Sequence, residues 1–384
     1  MPKSSWIQFW YKQNLLERIG PMNIKPLSVY IHWPFCKSKC PYCDFFKNVK
    51  KDINQTAIID SYIDELEYYH NLVPDRIVRS VFFGGGTPSL IKPENISRII
   101  EHIYKLWKTQ TDVEISLEAN PNSEYENMFK LIKNAGVNRL SLGVQALNEA
   151  DLRFLGRTHN LNQALHSVDE VLKNFDNHSI DLIYARPNQN FNCWQQELEQ
   201  AVNFGFKHLS LYQLTIEEGT VFALKGVKAL DEELAAKMYS DTVTFLENNG
   251  YPQYEVSNFA KSGYQSSHNK CYWLGDDYIG IGQSAHGRLK INDEHYAITY
   301  PHNMEKLSPQ ERAEELLIMG LRLREGINKD HFKQICGIVF DDFINLKAKE
   351  NLLNVNLIKE TSDCIYATKE GFLLLNKIIE DLCC

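Results

Sequence analysis

Short strand-like segments alternate with amphipathic segments up to Thr215, and this alternation constrains the fold more than any other feature of the chain. Stretches such as "AIIDSYIDELEYYHNL" carry apolar residues at helical spacing, and a strand–helix repeat of this kind is typical of right-handed βαβ units in a parallel sheet. Six units are too few for a closed eight-stranded barrel. We therefore predict an α/β protein with an open, partial (β/α)6 barrel. The strand-like segments centre on Val29, Phe82, Ile115, Leu142, Leu182 and Leu211.

The pattern changes after residue 230. A helical stretch ends at Asn249-Gly250, "YEVSNFA" has the composition of a strand, and from about residue 305 the pattern is mainly helical, with a strand-like "CIYATKEGFLLLN" near the end. This indicates a smaller, mostly helical C-terminal domain. The predicted division is an N-terminal extension at 1–23, the partial barrel at 24–230, a connecting region at 231–304 and the C-terminal domain at 305–384.

Polar and glycine-rich motifs recur at the carboxyl ends of the predicted strands. In parallel α/β folds this edge of the sheet binds ligands, and polar groups that interrupt buried strands are costly without partners. We therefore predict one ligand site along this edge. In strand order, the motifs are Cys36 to Cys43, Gly84 to Pro88, Glu118 to Pro121, Gln145 and Asp181.

Three of the nine cysteines cluster in "YIHWPFCKSKCPYCDFF", at Cys36, Cys40 and Cys43. Such a trio indicates a metal or an iron–sulfur cluster, and not a disulfide framework. A zinc site with His32 as the fourth ligand is the alternative, although the turn at Pro34 separates His32 from the cysteines. A four-iron cluster held by three thiolates would leave one iron free for another ligand.

The spacing C-x3-C-x2-C after the first strand, Tyr42 before the last cysteine and "GGGTP" after the second strand together resemble the radical S-adenosylmethionine superfamily. The resemblance implies that Cys36, Cys40 and Cys43 hold a [4Fe–4S] cluster. It also implies that S-adenosylmethionine chelates the free iron through its amino and carboxylate groups. A nucleotide phosphate loop is a poor reading of the glycines, because the chain lacks G-x4-G-K-[ST].

Further motifs, among them "LEANP", "LGVQALN", "DLIY" and "HNKCYW", resemble the branch that contains oxygen-independent coproporphyrinogen III oxidase and the haem chaperone HemW. The resemblance runs from about Tyr30 to the C-terminus. The chemistry suits the ligand, because carboxylates accept from ribose hydroxyls or an ammonium group and Arg157 can pair with the methionine carboxylate. The S-adenosylmethionine contacts that the resemblance implies are Tyr30, Tyr42, Gly85, Gly86, Thr87, Glu118, Gln145, Arg157 and Asp181.

Two features favour the chaperone over the oxidase. The oxidase carries a fourth cysteine two residues after the third, where this chain has Phe45. The oxidase also has a longer N-terminal region than the one that precedes Tyr30 here. The resemblance thus implies a protein that binds haem and passes it to haem-requiring proteins such as respiratory enzymes. The alternative is a radical enzyme of porphyrin biosynthesis that decarboxylates coproporphyrinogen III, and a radical enzyme acting on another large substrate is a weaker third reading.

"HNKCYW" matches the H-N-x-x-Y-W motif of the haem-binding members. By this resemblance His268 supplies an imidazole to the haem iron, and Tyr272 and Trp273 supply flat apolar surface to the porphyrin. In a helix Cys271 would share a face with His268, so Cys271 is an alternative haem ligand.

The chain departs from the branch at "DLIYARPNQN" and "GIGQSAHG", where the usual motifs are "DLIYGLPGQT" and "GIGPGAHG". Ala185 and Arg186 replace glycine and leucine. The substitution introduces a cation close to Asp181, where we expect it to pair with that carboxylate or with a ligand carboxylate such as a haem propionate.

Charge and hydropathy limit the partners. A net charge of −8 argues against nucleic acid, and the chain has no apolar run of transmembrane length and no convincing signal peptide. We therefore predict a cytoplasmic protein. The aromatic residues Trp6, Phe9 and Trp10 suggest that the N-terminal segment is a membrane-surface patch or a loosely attached extension. The sequence is compatible with a homodimer but does not predict one.

Overall fold

The computed structural model describes residues 25–50, 52–121 and 127–383. The predicted N-terminal extension, with the aromatic residues proposed for membrane contact, lies outside the described residues. No helix in the described ranges combines the length and apolar character needed to cross a lipid bilayer.

Strands and helices alternate as far as Asn248, and the last third of the chain mixes short strands with helices. In the first part the elements are β1 (Lys25–Trp33), β2 (Phe35–Cys36), β3 (Asn48–Val49), α1 (Gln55–Leu72), β4 (Arg76–Gly85), α2 (Pro93–Leu106), β5 (Lys108–Ala119), α3 (Met128–Asn134), β6 (Arg139–Gln145), α4 (Glu149–Phe154), α5 (Leu161–Asn174), β7 (Asn177–Tyr184), α6 (Phe191–Phe204), β8 (His208–Gln213), α7 (Val221–Leu224) and α8 (Glu232–Asn248). They continue as β9 (Asn258–Ala260), α9 (Ser267–Leu274), β10 (Tyr278–Ile281), β11 (His286–Ile291), β12 (Glu294–Thr299), β13 (Asn303–Leu307), α10 (Pro309–Gly320), β14 (Ile327–Asn328), α11 (Lys329–Cys336), α12 (Phe340–Phe343), α13 (Leu346–Asn354), β15 (Ile358–Glu360), β16 (Cys364–Ala367), α14 (Lys369–Leu373) and α15 (Leu375–Leu382).

One large sheet carries the site. Within the described ranges its eleven strands lie in the order β13-β12-β11-β10-β1-β4-β5-β6-β7-β8-β9. The strands from β10 to β8 in this order are all parallel. The six predicted strands are β1, β4, β5, β6, β7 and β8, and the predicted open, partial barrel is confirmed. Their side chains read as nearly continuous apolar runs because helices cover the outer face.

The sheet is wider than the six-strand prediction. Strand β9 adds to one edge, antiparallel to β8, and β10 adds beside β1. A hairpin from β11 to β12 continues the sheet. Its two loop residues, Asn292 and Asp293, both adopt positive φ, as a tight hairpin turn requires. The region predicted at 231–304 as a connection thus contributes strands to the main sheet.

The chain after Ser308 has its own apolar core. Strands β14, β16 and β15 form a three-stranded sheet, and helices α10 to α15 surround it. Fully buried side chains such as Phe332, Phe340 and Ile378 fill the core. The mainly helical character and the strand at Cys364–Ala367 agree with the sequence pattern.

Helix α1 fixes two loops at the carboxyl edge of the sheet. The Tyr62 hydroxyl donates to the backbone oxygen of His32 at 2.5 Å. The Glu65 carboxylate accepts from the backbone N–H of Gly282 at 3.0 Å, and burial raises the pKa of Glu65 to about 7. The loops after β1 and β10 are thus held on one helix, and the first of them carries the three clustered cysteines.

Candidate functional site

The cysteine loop follows β1 directly. Cys36 is buried, Cys40 and Cys43 are partly exposed, and all three are free thiols. Burial raises the pKa of Cys36, whereas a hydrogen bond with Thr87 and the charge of Lys47 act in the opposite direction. The Cys43 N–H donates to the Cys40 oxygen at 3.2 Å, so the last two cysteines share a tight turn.

A single metal ion finds no ready site in the described part of the chain, where no three His, Cys, Asp or Glu side chains are arranged to hold one. His32, the alternative fourth zinc ligand, is 6% exposed, and its Nδ1 bonds to the Tyr30 hydroxyl at 2.9 Å. A four-iron cluster makes a different demand, because its thiolates bind different irons and need only surround it. Three unpaired thiols on one loop suit that group.

The glycine loop at the end of β4 packs against the cysteine loop. The Gly86 N–H donates to the Trp33 oxygen at 2.7 Å, and the Thr87 N–H donates to the Phe35 oxygen at 2.9 Å. A Cβ on Gly86 would lie 2.7 Å from the Phe35 oxygen. Gly85 has φ +107°, and a Cβ there would lie 2.6 Å from the His32 ring. Only glycine allows this approach and this backbone conformation.

Arg157 connects the cysteine loop to the ends of two strands. Its Nη1 lies 3.5 Å from Cys40 Sγ and 3.3 Å from the Tyr42 hydroxyl. Its Nη2 donates to Asn120 Oδ1 at 2.5 Å and to the Gly143 oxygen at 2.8 Å. The guanidinium is therefore fixed beside the cysteines, where it can bind a carboxylate.

Asn120 extends this network, because its Nδ2 donates to Thr87 Oγ1 at 3.2 Å. Within the described residues, two buried polar atoms next to the network, Arg157 Nε and Gln145 Oε1, have no hydrogen-bond partner. Buried polar groups without partners are rare in proteins, and they indicate a missing ligand or water. The residues fit a polar ligand such as the amino acid portion of S-adenosylmethionine.

Two carboxylates, Glu118 on β5 and Asp181 on β7, lie on either side of β6 and interact electrostatically. Burial and the charge of Asp181 raise the pKa of Glu118 to about 8, against which a backbone hydrogen bond from Gly85 acts. Burial also raises the pKa of Asp181, which accepts from Ser141 Oγ at 2.8 Å. The pair therefore carries less negative charge than two exposed carboxylates would. A cationic ligand bound beside the pair would favour the ionised form of both groups.

A cavity of about 340 Å³ opens at this edge of the sheet. One wall comes from the predicted S-adenosylmethionine residues Tyr30, Gly85 and Glu118. The other wall is mainly aromatic, and Phe45 is 68% exposed at its edge. The residues that complete the lining are His32, Phe46, Tyr272, Tyr278, Ser284, Ala285 and His286.

His268, the predicted haem ligand, does not line this cavity. It is 1% exposed and stacks on Phe82 with ring centroids 4.9 Å apart. Its Nδ1 bonds to Ser80 Oγ at 3.0 Å, and its Nε2 bonds to the Tyr272 hydroxyl at 2.7 Å. Burial lowers the pKa of His268 to about 3. Both ring nitrogens are thus engaged by the protein in this conformation.

The H-N-x-x-Y-W segment lies in α9, and a residue of β5 binds the N-terminus of this helix. The Glu114 carboxylate accepts from the backbone N–H of Ser267 and from that of His268, each at 3.1 Å, as acidic groups at helix N-termini do. Cys271, the alternative haem ligand, is fully buried, and burial raises its pKa to about 12. Tyr272 is the residue of this segment that reaches the cavity.

Arg186 takes a different partner from the one expected. It is 1% exposed and forms ion pairs with Glu197 on α6 and with Asp151. The expected pairing with Asp181 or with a ligand carboxylate is wrong for this conformation, because a buried guanidinium already holds two carboxylates. Ala185 adopts φ 55°, a left-handed conformation that the glycine usual in the branch adopts without strain.

The contacts that the resemblance implies omit several residues of the site. Asn120 lies in the motif Glu118 to Pro121, directly after β5 and at the same edge as Thr87, but it is not among those contacts. Phe46, Tyr278 and His286 line the cavity, but they lie far apart in the chain, and only the pairing of β10 with β1 brings them together.

Comparison with known proteins agrees with this geometry. The model of the radical SAM superfamily matches residues 30–201, and that of the HemN C-terminal domain matches residues 307–374. The heme chaperone HemW of Buchnera aphidicola is 34% identical over 93% of this chain and 98% of its own length. A mouse mitochondrial radical S-adenosyl methionine domain-containing protein 1 is 35% identical over 92% of this chain and 86% of its own.

Among solved structures, coproporphyrinogen III oxidase (HemN) from Escherichia coli superimposes with a TM-score of 0.78. The match covers 96% of this chain and 92% of the oxidase, at 22% sequence identity. At that identity the likeness extends to the fold alone.

Proposed function

We propose a function from one premise: the chain belongs to the radical SAM superfamily and, within it, to the HemW family. The protein is a haem chaperone. It binds haem on a partial barrel that also holds a [4Fe–4S] cluster and S-adenosylmethionine, and it delivers the haem to haem-requiring proteins such as respiratory enzymes.

The family implies the cluster and S-adenosylmethionine. We assign the cluster to Cys36, Cys40 and Cys43, and the bound cluster would supply one-electron chemistry and an iron open to S-adenosylmethionine. Arg157 is placed to bind the methionine carboxylate, because it already lies beside Cys40 and Tyr42. Glu118 and Asp181 suit the cationic or hydroxyl-bearing parts of the same ligand. The remaining contacts that we propose are Tyr30, Tyr42, Gly85, Gly86, Thr87 and Gln145.

The observation that carries haem binding is the aromatic wall of the cavity. Porphyrins have large apolar faces, and aromatic side chains bury such faces well. Phe45 and Phe46 line the cavity from the cysteine loop, and Tyr272 and Tyr278 line it from α9 and β10. Phe45 stands where the oxidase carries a cysteine, which favours the carrier over the enzyme.

The radical oxidase remains the second candidate, because the fold is shared with the Escherichia coli enzyme. Haem-accepting proteins as partners, a cytoplasmic location and His268 as the iron ligand stay predictions from the sequence, and so do homodimerisation and contact with a membrane surface. The acidic net charge supports the expectation that nucleic acid is not a partner.

An anaerobic comparison separates chaperone from oxidase. The cluster is reconstituted, one sample is titrated with haem, and another receives coproporphyrinogen III, S-adenosylmethionine and a reductant. We expect a stable stoichiometric Soret band in the first sample and no protoporphyrinogen in the second. Turnover of coproporphyrinogen would exclude the chaperone as the sole function.

The aromatic wall is tested in the same titration with Phe45→Ala. Loss of one exposed aromatic contact should weaken haem binding by about threefold to tenfold. Tyr104→Ala is the matched control, because Tyr104 is a similarly exposed aromatic residue on α2 that does not line the cavity. Equal affinity in Phe45→Ala and the control would remove Phe45 from the haem site.

A further inference from the structure

We propose that His286 supplies the axial imidazole to the haem iron and that His268 is a positioning residue for Tyr272. The inference rests on the proposed function and names the side chain by which that function is carried out. It departs from the sequence motif, which places the iron on His268.

The first step concerns the access of His268 to a ligand. Its ring packs against those of Phe82 and Tyr30, with centroids at 4.9 and 6.2 Å. Coordination of iron by either nitrogen would break the bond to Ser80 or the bond to Tyr272. A haem ligand at His268 therefore requires this buried side chain to give up a hydrogen bond that the folded protein already makes.

Two imidazoles line the cavity among the described residues, those of His32 and His286. His32 is 6% exposed, its Nδ1 bonds to Tyr30, and its ring fills the space that Gly85 leaves open. His286 is exposed, and its side chain makes no hydrogen bond to any residue that the structure describes. The Nε2 atom of His32 also has no hydrogen-bond partner, but it is buried, so His286 is the imidazole that the cavity exposes to a ligand.

The backbone of His286 is fixed even though its ring is free. It is the first residue of β11, and it pairs with Thr299 on β12. The neighbouring β10 approaches so closely that a Cβ on Gly280 would lie 2.8 Å from the backbone nitrogen of His286. A ligand on a fixed strand loses little backbone freedom when it binds, and this favours affinity.

Two aromatic rings line the same cavity as His286 and offer apolar surface to a porphyrin bound there. Tyr272 and Tyr278 meet edge to face with centroids 4.5 Å apart, and both line the same cavity as His286. The His268 bond to the Tyr272 hydroxyl sets the orientation of that ring. This gives the H-N-x-x-Y-W motif a role in haem binding without direct contact between His268 and iron.

The test is an anaerobic haem titration of the cluster-reconstituted full chain, followed by difference absorbance and by electron paramagnetic resonance of ferric haem. His286→Ala should weaken binding by about tenfold or more, as loss of a metal contact does, and remove the nitrogen-ligand signature. Added imidazole should restore that signature. His286→Met should shift the Soret band, because it offers a thioether in place of the imidazole.

His268→Gln supplies the second arm, because an amide side chain can replace both hydrogen bonds but is a poor iron ligand. It should keep the wild-type spectrum and bind haem within about threefold of the wild type, because its hydrogen bonds are replaced and no iron ligand is lost. His166→Ala, at an exposed residue of α5, is the control for loss of a surface imidazole. Circular dichroism of each variant checks that the fold is retained.

The outcomes separate the inference from the function on which it depends. If the wild-type protein shows no haem signature, the proposed function fails. If the wild type binds haem, and His268→Gln loses the signature while the His286 variants keep it unchanged, the inference is overturned and the motif prediction holds. The assignment of His286 is also contradicted if the His268 and His286 variants both lose the nitrogen-ligand signature and added imidazole does not restore it.

Discussion

Sequence motifs identify two regions, the sheet edge at β1, β4 and β5 and the helix α9. The two regions differ in whether the predicted residues are accessible to a ligand. At the edge, the predicted residues Cys40, Tyr42 and Arg157 meet within hydrogen-bond distance. In α9, the predicted ligand His268 is enclosed, and its neighbour Tyr272 reaches the cavity. Strand ends of a parallel sheet face one way, so topology brings to one side the loop with Cys40 and Tyr42 and the β6–β7 connection that carries Arg157. A helix has no such rule, and which side chain is accessible depends on its packing.

The largest effect expected at the sheet edge is loss of the cluster. Cys36→Ala removes one of three thiolates, and the reconstituted protein should lose its iron–sulfur absorbance and its bound iron almost completely. Cys193→Ala, at an exposed residue of α6, should keep both. Equimolar zinc in the wild-type protein, with no iron–sulfur absorbance, would favour the zinc alternative. The sheet edge would then not be the site of an iron–sulfur cluster.

In α9 the largest effect expected is on stability. His268→Ala removes a buried ring stacked on Phe82 and leaves Ser80 without one of its partners. The free energy of unfolding of the cluster-free protein should fall by about 2–4 kcal/mol, measured by urea denaturation. His166→Ala should change it by less than about 0.5 kcal/mol. An equally small change in both variants would mean that His268 is not packed as described.

A smaller effect follows from Arg157→Lys. Lysine keeps the charge but loses the fork that reaches Cys40, Asn120 and the Gly143 oxygen together. The affinity for S-adenosylmethionine should fall about tenfold, measured by anaerobic equilibrium dialysis, with the iron content unchanged. Lys173→Ala, at an exposed residue of α5, serves as the control. Unchanged affinity in Arg157→Lys would remove the guanidinium from the ligand site.

The smallest effect is a dependence on pH set by Glu118. The pKa of Glu118 is raised to about 8, so the group is mostly neutral at pH 7 and ionised at pH 9. A cationic ligand prefers the ionised form, and the affinity for S-adenosylmethionine should rise severalfold across this range, with proton release on binding at pH 7. In Glu118→Gln the profile should be flatter. A profile identical to that of the wild type would exclude Glu118 as its source.

The raised pKa of Glu118 also affects the folding stability of the ligand-free protein, which should fall as the pH rises, whereas the ligand affinity should increase. The folded state holds the Glu118 proton up to about pH 8, whereas the unfolded chain releases it near 4.5. The contribution of Glu118 to stability is therefore complete below 4.5 and is lost as the pH rises through 8. Thermal denaturation of Glu118→Gln should show a weaker decline over this interval than that of the wild type.

The sequence predicts the six parallel strands and most of the sheet edge, because buried parallel strands appear as apolar runs and their polar ends are distinct. It does not predict β10, since four residues of ordinary composition become a strand only beside β1. Nor does it find the partner of Arg186, because Glu197 lies on the next helix and comes close only in the folded chain. Accessibility of His268 is likewise a tertiary property: the motif identifies the residue, and the packing of Phe82 decides whether it is exposed.

The insertion of β10 beside β1 has a consequence for biosynthesis. Val29 pairs with Val81 on one side and with Ile279 on the other, so β1 stays an unpaired edge until the ribosome has made residues beyond Ile281. Unpaired edges template aggregation, and incomplete folds expose them. The cysteine loop leaves the ribosome early, but the strand that supports it is completed late. Cluster insertion into a fully formed site is therefore an event that follows synthesis of most of the chain.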